Sequence, residues 1–326
     1  MSPSDALSEF DLIKQYFVRQ RPGRATLGIG DDCALLTPAP GRQIAISSDM
    51  LVEDRHFFAG ADARKLGHKS LAVNLSDLAA MGARPVAFTL ALALPQAERG
   101  WLAAFAEGLF ALADAHGCEL IGGDTTKGPL NICITVFGEL MPGQALRRDR
   151  AVAGDDIWVS GTLGDARLAL AGYRMEHTLA PHDMQAAASR MHTPTPRVEL
   201  GCRLAEAGLA HAAIDISDGL VGDLGHILTA SGVGATLDVD ALPAGPVLVR
   251  QGAELRRSYT LAGGDDYELC FTAPAASRAA IAALAASCGT PATRVGSIDT
   301  EAGLRLVDAA GAPLDLALRS FDHFTQ

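Results

Sequence analysis

Positive charge is scarce in this chain and nowhere gathered. Its 326 residues carry 27 Lys and Arg against 38 Asp and Glu, a formal net charge of −11, and no basic run is longer than Arg147-Arg148 or Arg256-Arg257. That argues against a nucleic-acid surface, because phosphate backbones are held by clustered Lys and Arg. An anionic ligand would reach so acidic a protein only through bridging cations. The six cysteines (Cys33, Cys118, Cys133, Cys202, Cys270, Cys288) include no C-x-x-C pair, and no His stands at zinc-ligand spacing. Reduced thiols, and so a cytosolic (cytoplasmic) protein, are expected. The longest apolar run, Pro85 to Pro95, is too short to span a bilayer, so no membrane partner is expected. The opening Met1-Ser-Pro-Ser-Asp-Ala lacks a basic segment and an apolar stretch, and no signal peptide is expected. Missing too are the G-x-x-x-x-G-K-[ST] phosphate loop, the G-x-G-x-x-G dinucleotide fingerprint and the kinase H-R-D.

What is present suits a globular α+β protein of two domains, divided near 1–145 and 146–326 at the Met141-Pro-Gly-Gln turn and the basic loop Arg147–Arg150. Ser8-Glu-Phe-Asp11 opens a helix in the manner of a capping box, with Phe10, Ile13 and Phe17 on one face. Gln43 to Ser47 alternates as a strand and delivers Ser47-Ser48-Asp49 at its end. Asp62 is a candidate cap for a long helix through Asp77. Between Pro85 and Leu94, Val86, Phe88, Leu90, Leu92 and Leu94 point one way and small residues the other. The large face needs an apolar cover, which a subunit partner could supply.

Acidic residues recur beside Gly or Ser: Asp31-Asp32, Asp49, Asp77, Asp124, Asp215, Asp218 and Asp265-Asp266. Any one of them has a turn or helix-cap explanation. Asp77 is different in setting. Leu71 to Ala83 is apolar nearly all round, and Ser70, Asn74 and Asp77 form a polar stripe within an arc of about 60° on that helix. A buried carboxylate is costly unless paired or metal-bound. Oxygen donors without zinc-type ligands suit Mg²⁺, which binds through carboxylates, waters and substrate phosphates. Glycine-turn amides around Gly122-Gly123 and an arginine such as Arg148 complete a set fit for phosphate chemistry. A non-catalytic cation module is a second reading, but no twelve-residue calcium loop is present, and ligands spread along the chain favour an assembled active site.

Gly28-Ile-Gly-Asp-Asp-Cys-Ala34, Val73-Asn-Leu-Ser-Asp-Leu-Ala-Ala-Met-Gly82, Ile121-Gly-Gly-Asp-Thr-Thr126, Ile214-Asp-Ile-Ser-Asp-Gly-Leu220 and Gly263-Gly-Asp-Asp-Tyr-Glu-Leu269 resemble the thiamine-monophosphate kinase family, in that family's order. The resemblance implies a two-domain fold shared with aminoimidazole ribonucleotide synthetase. It also implies a homodimer whose N-terminal domains pair their sheets, and phosphorylation of thiamine monophosphate by ATP with several Mg²⁺ ions. It makes Asp32, Ser47, Ser48, Asp49, Asp77, Asp124, Asp215 and Asp218 metal ligands, with Asp77, Asp32, Asp124 and Asp218 closest to the chemistry. Gly122, Gly123, Arg148 and Ser217 become ATP contacts, and His56, Asp265 and Phe321 substrate contacts. Other ATP-using synthetases of the same superfamily are the neighbouring alternative. Two residues depart from the family pattern: Asp265 replaces the usual Glu and is one methylene shorter, and Ser48 stands where Thr is common.

Overall fold

A strand needs a partner ladder and a helix needs a covered stripe, and the order of these signals along the chain sets the architecture. The computed structural model describes residues 8–19, 23–316 and 318; Phe321 lies outside them. The chain divides into two compact units, Met1–Leu78 with Arg84–Pro142, and Ala79–Ala83 with Gly143–Gln326.

The first unit runs α1 (Glu9–Tyr16), β1 (Ala25–Leu27), β2 (Leu35–Leu36), β3 (Gln43–Val52), α2 (Ala63–Ala80), β4 (Arg84–Leu94), α3 (Arg99–Ala115), β5 (Glu119–Lys127) and β6 (Asn131–Leu140). Ser8 caps α1 by accepting from the Asp11 amide at 3.2 Å. The buried face of α1 is Leu12 and Phe17, while Phe10 points to solvent. Asp62 caps α2 through the Lys65 amide, 2.9 Å. The main sheet has the order β3-β6-β4-β5, antiparallel except for the β4–β5 pair.

Two expectations are corrected here. Ser47-Ser48-Asp49 lie in the middle of β3, whose ten residues all pair with β6 from Gln43↔Leu140 to Val52↔Asn131. The long ladder carries the strand through polar residues that locally read as its end. The large residues of β4 are all buried within the single chain, so that face needs no partner. The face left to solvent is the other one, where Ala91 of β4 and, on the far side of β6, Ile46 and Met50 of β3 are exposed. Helices α2 and α3 approach closely at glycines: a Cβ on Gly108 would lie 1.8 Å from the Arg64 carbonyl oxygen, and one on Gly67 2.1 Å from that of Phe105.

The second unit contains β7 (Asp155–Ser160), α4 (Asp165–Tyr173), α5 (Pro181–His192), α6 (Val198–Glu206), β8 (Ala212–Ile216), α7 (Leu220–Ser231), β9 (Gly234–Asp238), α8 (Ala253–Ala262), β10 (Glu268–Pro274), α9 (Arg278–Ser287), β11 (Ala292–Asp299) and β12 (Gly303–Val307). Its sheet has the order β12-β9-β11-β7-β10-β8. Strands β7 and β8 are buried along their whole length, and Ile214, Ile216, Leu224, Ile227 and Leu237 lie in one core beneath them. Among the described residues no helix is long and apolar enough to cross a membrane.

Candidate active site

In the first unit the polar stripe of α2 faces β3. Ser70 turns its hydroxyl back to the Leu66 carbonyl at 2.7 Å and so satisfies itself on its own helix. Asn74 donates to the Ser70 carbonyl, 3.0 Å, and accepts from the Asp49 amide, 3.1 Å. Asp77 accepts a short hydrogen bond from the Ser47 hydroxyl. Strand alternation puts Ser47 and Asp49 on this face and Ser48 on the opposite one. There Ser48 meets the Thr135 hydroxyl at 2.9 Å and donates to the Ile134 carbonyl at 3.2 Å. The structure therefore gathers Ser47, Asp49, Asn74 and Asp77, and separates the Ser48 side chain from them.

Gly122, Gly123 and Asp124 lie inside β5 rather than in a turn, with Gly123 opposite Leu90 and Asp124 opposite Ala91. Gly123 has a φ of +144°, and a Cβ there would meet the Leu90 carbonyl oxygen at 1.9 Å. Close strand approach, not a turn, demands this glycine. Asp124 is exposed on the edge opposite β3. Asp31 and Asp32 are exposed in the β1–β2 connection. That segment is fastened by two carboxylates: Glu119 accepts from the Arg24 and Ala25 amides at 2.7 and 3.2 Å, and Glu139 from the Arg24 guanidinium and the Ala39 amide at 2.6 and 2.8 Å. His56 accepts from the Val52 amide at Nδ1, 3.0 Å, which leaves its ring proton on Nε2.

In the second unit two glycine loops run side by side. The Asp265 amide donates to the Ser217 carbonyl and the Tyr267 amide to that of Ile216, both at 2.8 Å. A Cβ on Gly264 would lie 2.5 Å from the Ser217 carbonyl oxygen, so glycine permits the contact. Asp215 is buried at the end of β8, and Ser217, Asp218 and Asp265 are half-buried. Asp223, in the first turn of α7, accepts from the Ser217 and Asp218 amides at 3.1 and 3.2 Å. Burial, and then the nearby Asp218 carboxylate, push its pKa up to about 7. At the other end of α7, Ser231 donates to the Arg148 carbonyl at 2.8 Å and accepts from the Ala151 amide at 3.0 Å. Arg147 is engaged by Asp149, whereas the Arg148 guanidinium is exposed and makes no hydrogen bond or ion pair among the described residues.

Under these loops lies a buried ionic cluster that the sequence reading missed. Glu268, fully buried, receives Arg190 at 2.9 Å, Arg197 at 2.5 and 2.6 Å, and the Ser160 hydroxyl at 2.6 Å. Asp266 accepts from the Gly164 amide at 2.8 Å, and burial drives its pKa well above the usual carboxylate range. The signal was available in Gly263-Gly-Asp-Asp-Tyr-Glu268, but nothing local tells a carboxylate aimed inward from one aimed at a ligand.

Residues 30–140 match the family model described as AIR synthase related protein, N-terminal domain, and residues 152–309 the C-terminal domain of the same description. A thiamine-monophosphate kinase of Salmonella typhimurium is 45% identical over 98% of this chain and 99% of its own. The chain belongs to the thiamine-monophosphate kinase family. The crystal structure of the Stenotrophomonas maltophilia member is 48% identical, with a TM-score of 0.84 over 93% of this chain and 96% of that one. A 28% identical member of the family, in complex with AMPPCP and TMP, aligns with a TM-score of 0.75 over 97% of this chain and 96% of that one. The fold is accordingly the α+β, two-domain AIR synthase type expected from the motifs.

Among the described residues no three His, Cys, Asp or Glu side chains converge at metal-holding range. The donors around Asp77 are nonetheless all oxygens, from carboxylates, a serine and an asparagine amide, which is the chemistry that Mg²⁺ accepts.

Proposed function

We propose that this chain transfers the γ-phosphoryl group of ATP to thiamine monophosphate, giving ADP and thiamine diphosphate, the last step in making that product, in the cytoplasm. The observation that carries this reading is likeness along the whole chain to curated thiamine-monophosphate kinases. The family member in complex with AMPPCP and TMP supports a nucleotide and an acceptor phosphate as the two ligands. None of the six cysteines is joined in a disulfide, which suits a reducing compartment.

The proposed Mg²⁺ ligands are Asp32, Ser47, Ser48, Asp49, Asp77, Asp124, Asp215 and Asp218, with Ser48 limited to its backbone carbonyl by the outward side chain. When bound, Mg²⁺ supplies charge neutralisation that lets two polyanions approach in line. The chain's own part is positional. Asn74 and Ser47 hold Asp49 and Asp77 in place, and Asp223 fixes the amides of Ser217 and Asp218. Gly122, Gly123, Arg148 and Ser217 are the proposed ATP contacts, and His56, Asp265 and Phe321 hold the acceptor. A phosphate monoester has its second pKa near 6 and is largely dianionic at neutral pH, so no general base is needed. One of its oxygens forms the new bond to the γ-phosphorus as the bond to the β–γ bridging oxygen breaks.

A homodimer completes the reading. The candidate ligands of β3 and Asp124 of β5 lie on opposite edges of one sheet, three strand spacings or roughly 14 Å apart. No ion with ligands near 2.1 Å bridges that gap within one chain. A second copy laid on the exposed face of Ile46, Met50 and Ala91 would cover it and set a β5 edge beside β3. Sedimentation should give a dimer, and Ile46→Arg a monomer; a monomeric wild type would sink the dimer.

The deciding assay supplies ATP and Mg²⁺ with thiamine monophosphate, thiamine or no acceptor. Thiamine diphosphate formed only from the monophosphate, and only with Mg²⁺, is expected. ADP release without thiamine diphosphate would point to another acceptor.

A further inference from the structure

Two residues near the candidate acceptor site adopt a backbone that L-residues rarely take. Asp265 has a φ of +66° and Tyr267 a φ of +50°, and neither is glycine. Such strain persists only where the surroundings over-determine it, and it gathers at functional sites. Here four hydrogen bonds impose it. The Asp265 and Tyr267 amides are tied to the Ser217 and Ile216 carbonyls at 2.8 Å. Between them, the Asp266 carboxylate holds the Gly164 amide at 2.8 Å, and its carbonyl accepts from Arg190 at 2.9 Å. With the main chain fixed, the only freedom left to the Asp265 carboxylate is rotation about its own two side-chain bonds. The Tyr267 hydroxyl removes it. Its ring is buried, 8% exposed, and its hydroxyl donates to Asp265 Oδ1 at 3.1 Å.

We propose that Tyr267 is a positioning residue for the acceptor: its phenol aims the shortened carboxylate of Asp265, offsetting the methylene that the usual Glu would supply. This rests on the assignment of Asp265 to the acceptor made above. A longer, flexible carboxylate finds its ligand by its own torsions, whereas a short one must be delivered by the backbone and held. The strained loop delivers Asp265 and the phenol holds it. Tyr267 itself touches no reacting atom.

The test compares wild type, Tyr267→Phe, Asp265→Asn and the double variant in the Mg²⁺–ATP assay, with melting temperatures alongside. Tyr267→Phe keeps the buried ring and should raise KM for thiamine monophosphate about tenfold, the worth of one hydrogen bond to a charged group. KM for ATP and the melting temperature should stay at the wild-type values. In the Asp265→Asn background the loss of the hydroxyl should add little, because there is no longer a carboxylate to aim. Equal rises in both KM values, an unchanged KM for the acceptor, or full additivity in the double variant would overturn the role of Tyr267. A wild type that forms no thiamine diphosphate would overturn the functional reading itself, and this proposal with it.

Discussion

Glu268 in the second unit and Asp77 in the first are held in different ways. In the second, Glu268 is sealed from solvent and met by two guanidinium groups and a hydroxyl, and Asp156 is clasped by Arg278 through two 2.6 Å contacts. Both carboxylates thus have cationic partners within the chain. In the first, Asp77 accepts from the Ser47 hydroxyl, Asn74 accepts from the backbone amide of Asp49, and Asp32 and Asp124 are open to solvent. A hydroxyl orients a carboxylate without itself cancelling the charge. Glu268 is a carboxylate of the fold, and Asp77 is the one proposed for chemistry.

Removing one charge from each class should separate them. Asp77→Asn should lower turnover by roughly 10²–10³-fold or more, the scale of losing a group that organises transition-state charge. Its melting temperature should be unchanged or higher, because a site carboxylate is held at some cost to stability. Near-normal turnover in this variant would refute the role given to Asp77. Glu268→Ala should do the reverse. Two guanidinium groups left facing an empty position should cost about 3–5 kcal/mol, read as a lowered denaturant midpoint. A midpoint equal to that of the wild type would break the contrast. The smallest effect expected is at Asp156, whose carboxyl is held below the usual range chiefly by its hydrogen bond with Arg278 and then by the charge of that residue and of Arg294. A lowered folded pKa contributes stability that is present above the unfolded value, near pH 4, and lost as pH falls through the folded one. Wild type should therefore outlast Asp156→Asn in thermal melts above about pH 4, with the gap closing on acidification. A gap that widens toward low pH would reverse that sign.

Much of this was legible in the sequence because short-range pattern decided it. The Ser8 and Asp62 caps, the start of β3 at Gln43 and the alternation along β4 follow from side chains a few residues apart. What escaped was decided by partners far along the chain. Ser47-Ser48-Asp49 look like the end of a strand until the ten-residue ladder to β6 is seen. Gly122-Gly123-Asp124 look like a turn until the Leu90 carbonyl explains why no side chain fits. The alternation in β4 was read correctly, but alternation alone does not say which face the helices cover. Glu119, Glu139, Asp223 and Glu268 carry no local mark of their tasks, since each holds backbone or arginine contributed by another segment.

Helix α7 has a consequence for how this chain can vary. Its first turn grips the loop of Ser217 and Asp218 through Asp223, and its last residue grips the turn of Arg148 through Ser231. The eight-residue step from Asp223 to Ser231, at 1.5 Å per residue, makes it a ruler of about 12 Å between the grips on two proposed nucleotide contacts. Adding or deleting one residue would lengthen or shorten that ruler only slightly, yet would rotate one grip against the other by about 100°. The number of residues between the two grips therefore constrains this helix more tightly than the side chains on its outer surface do.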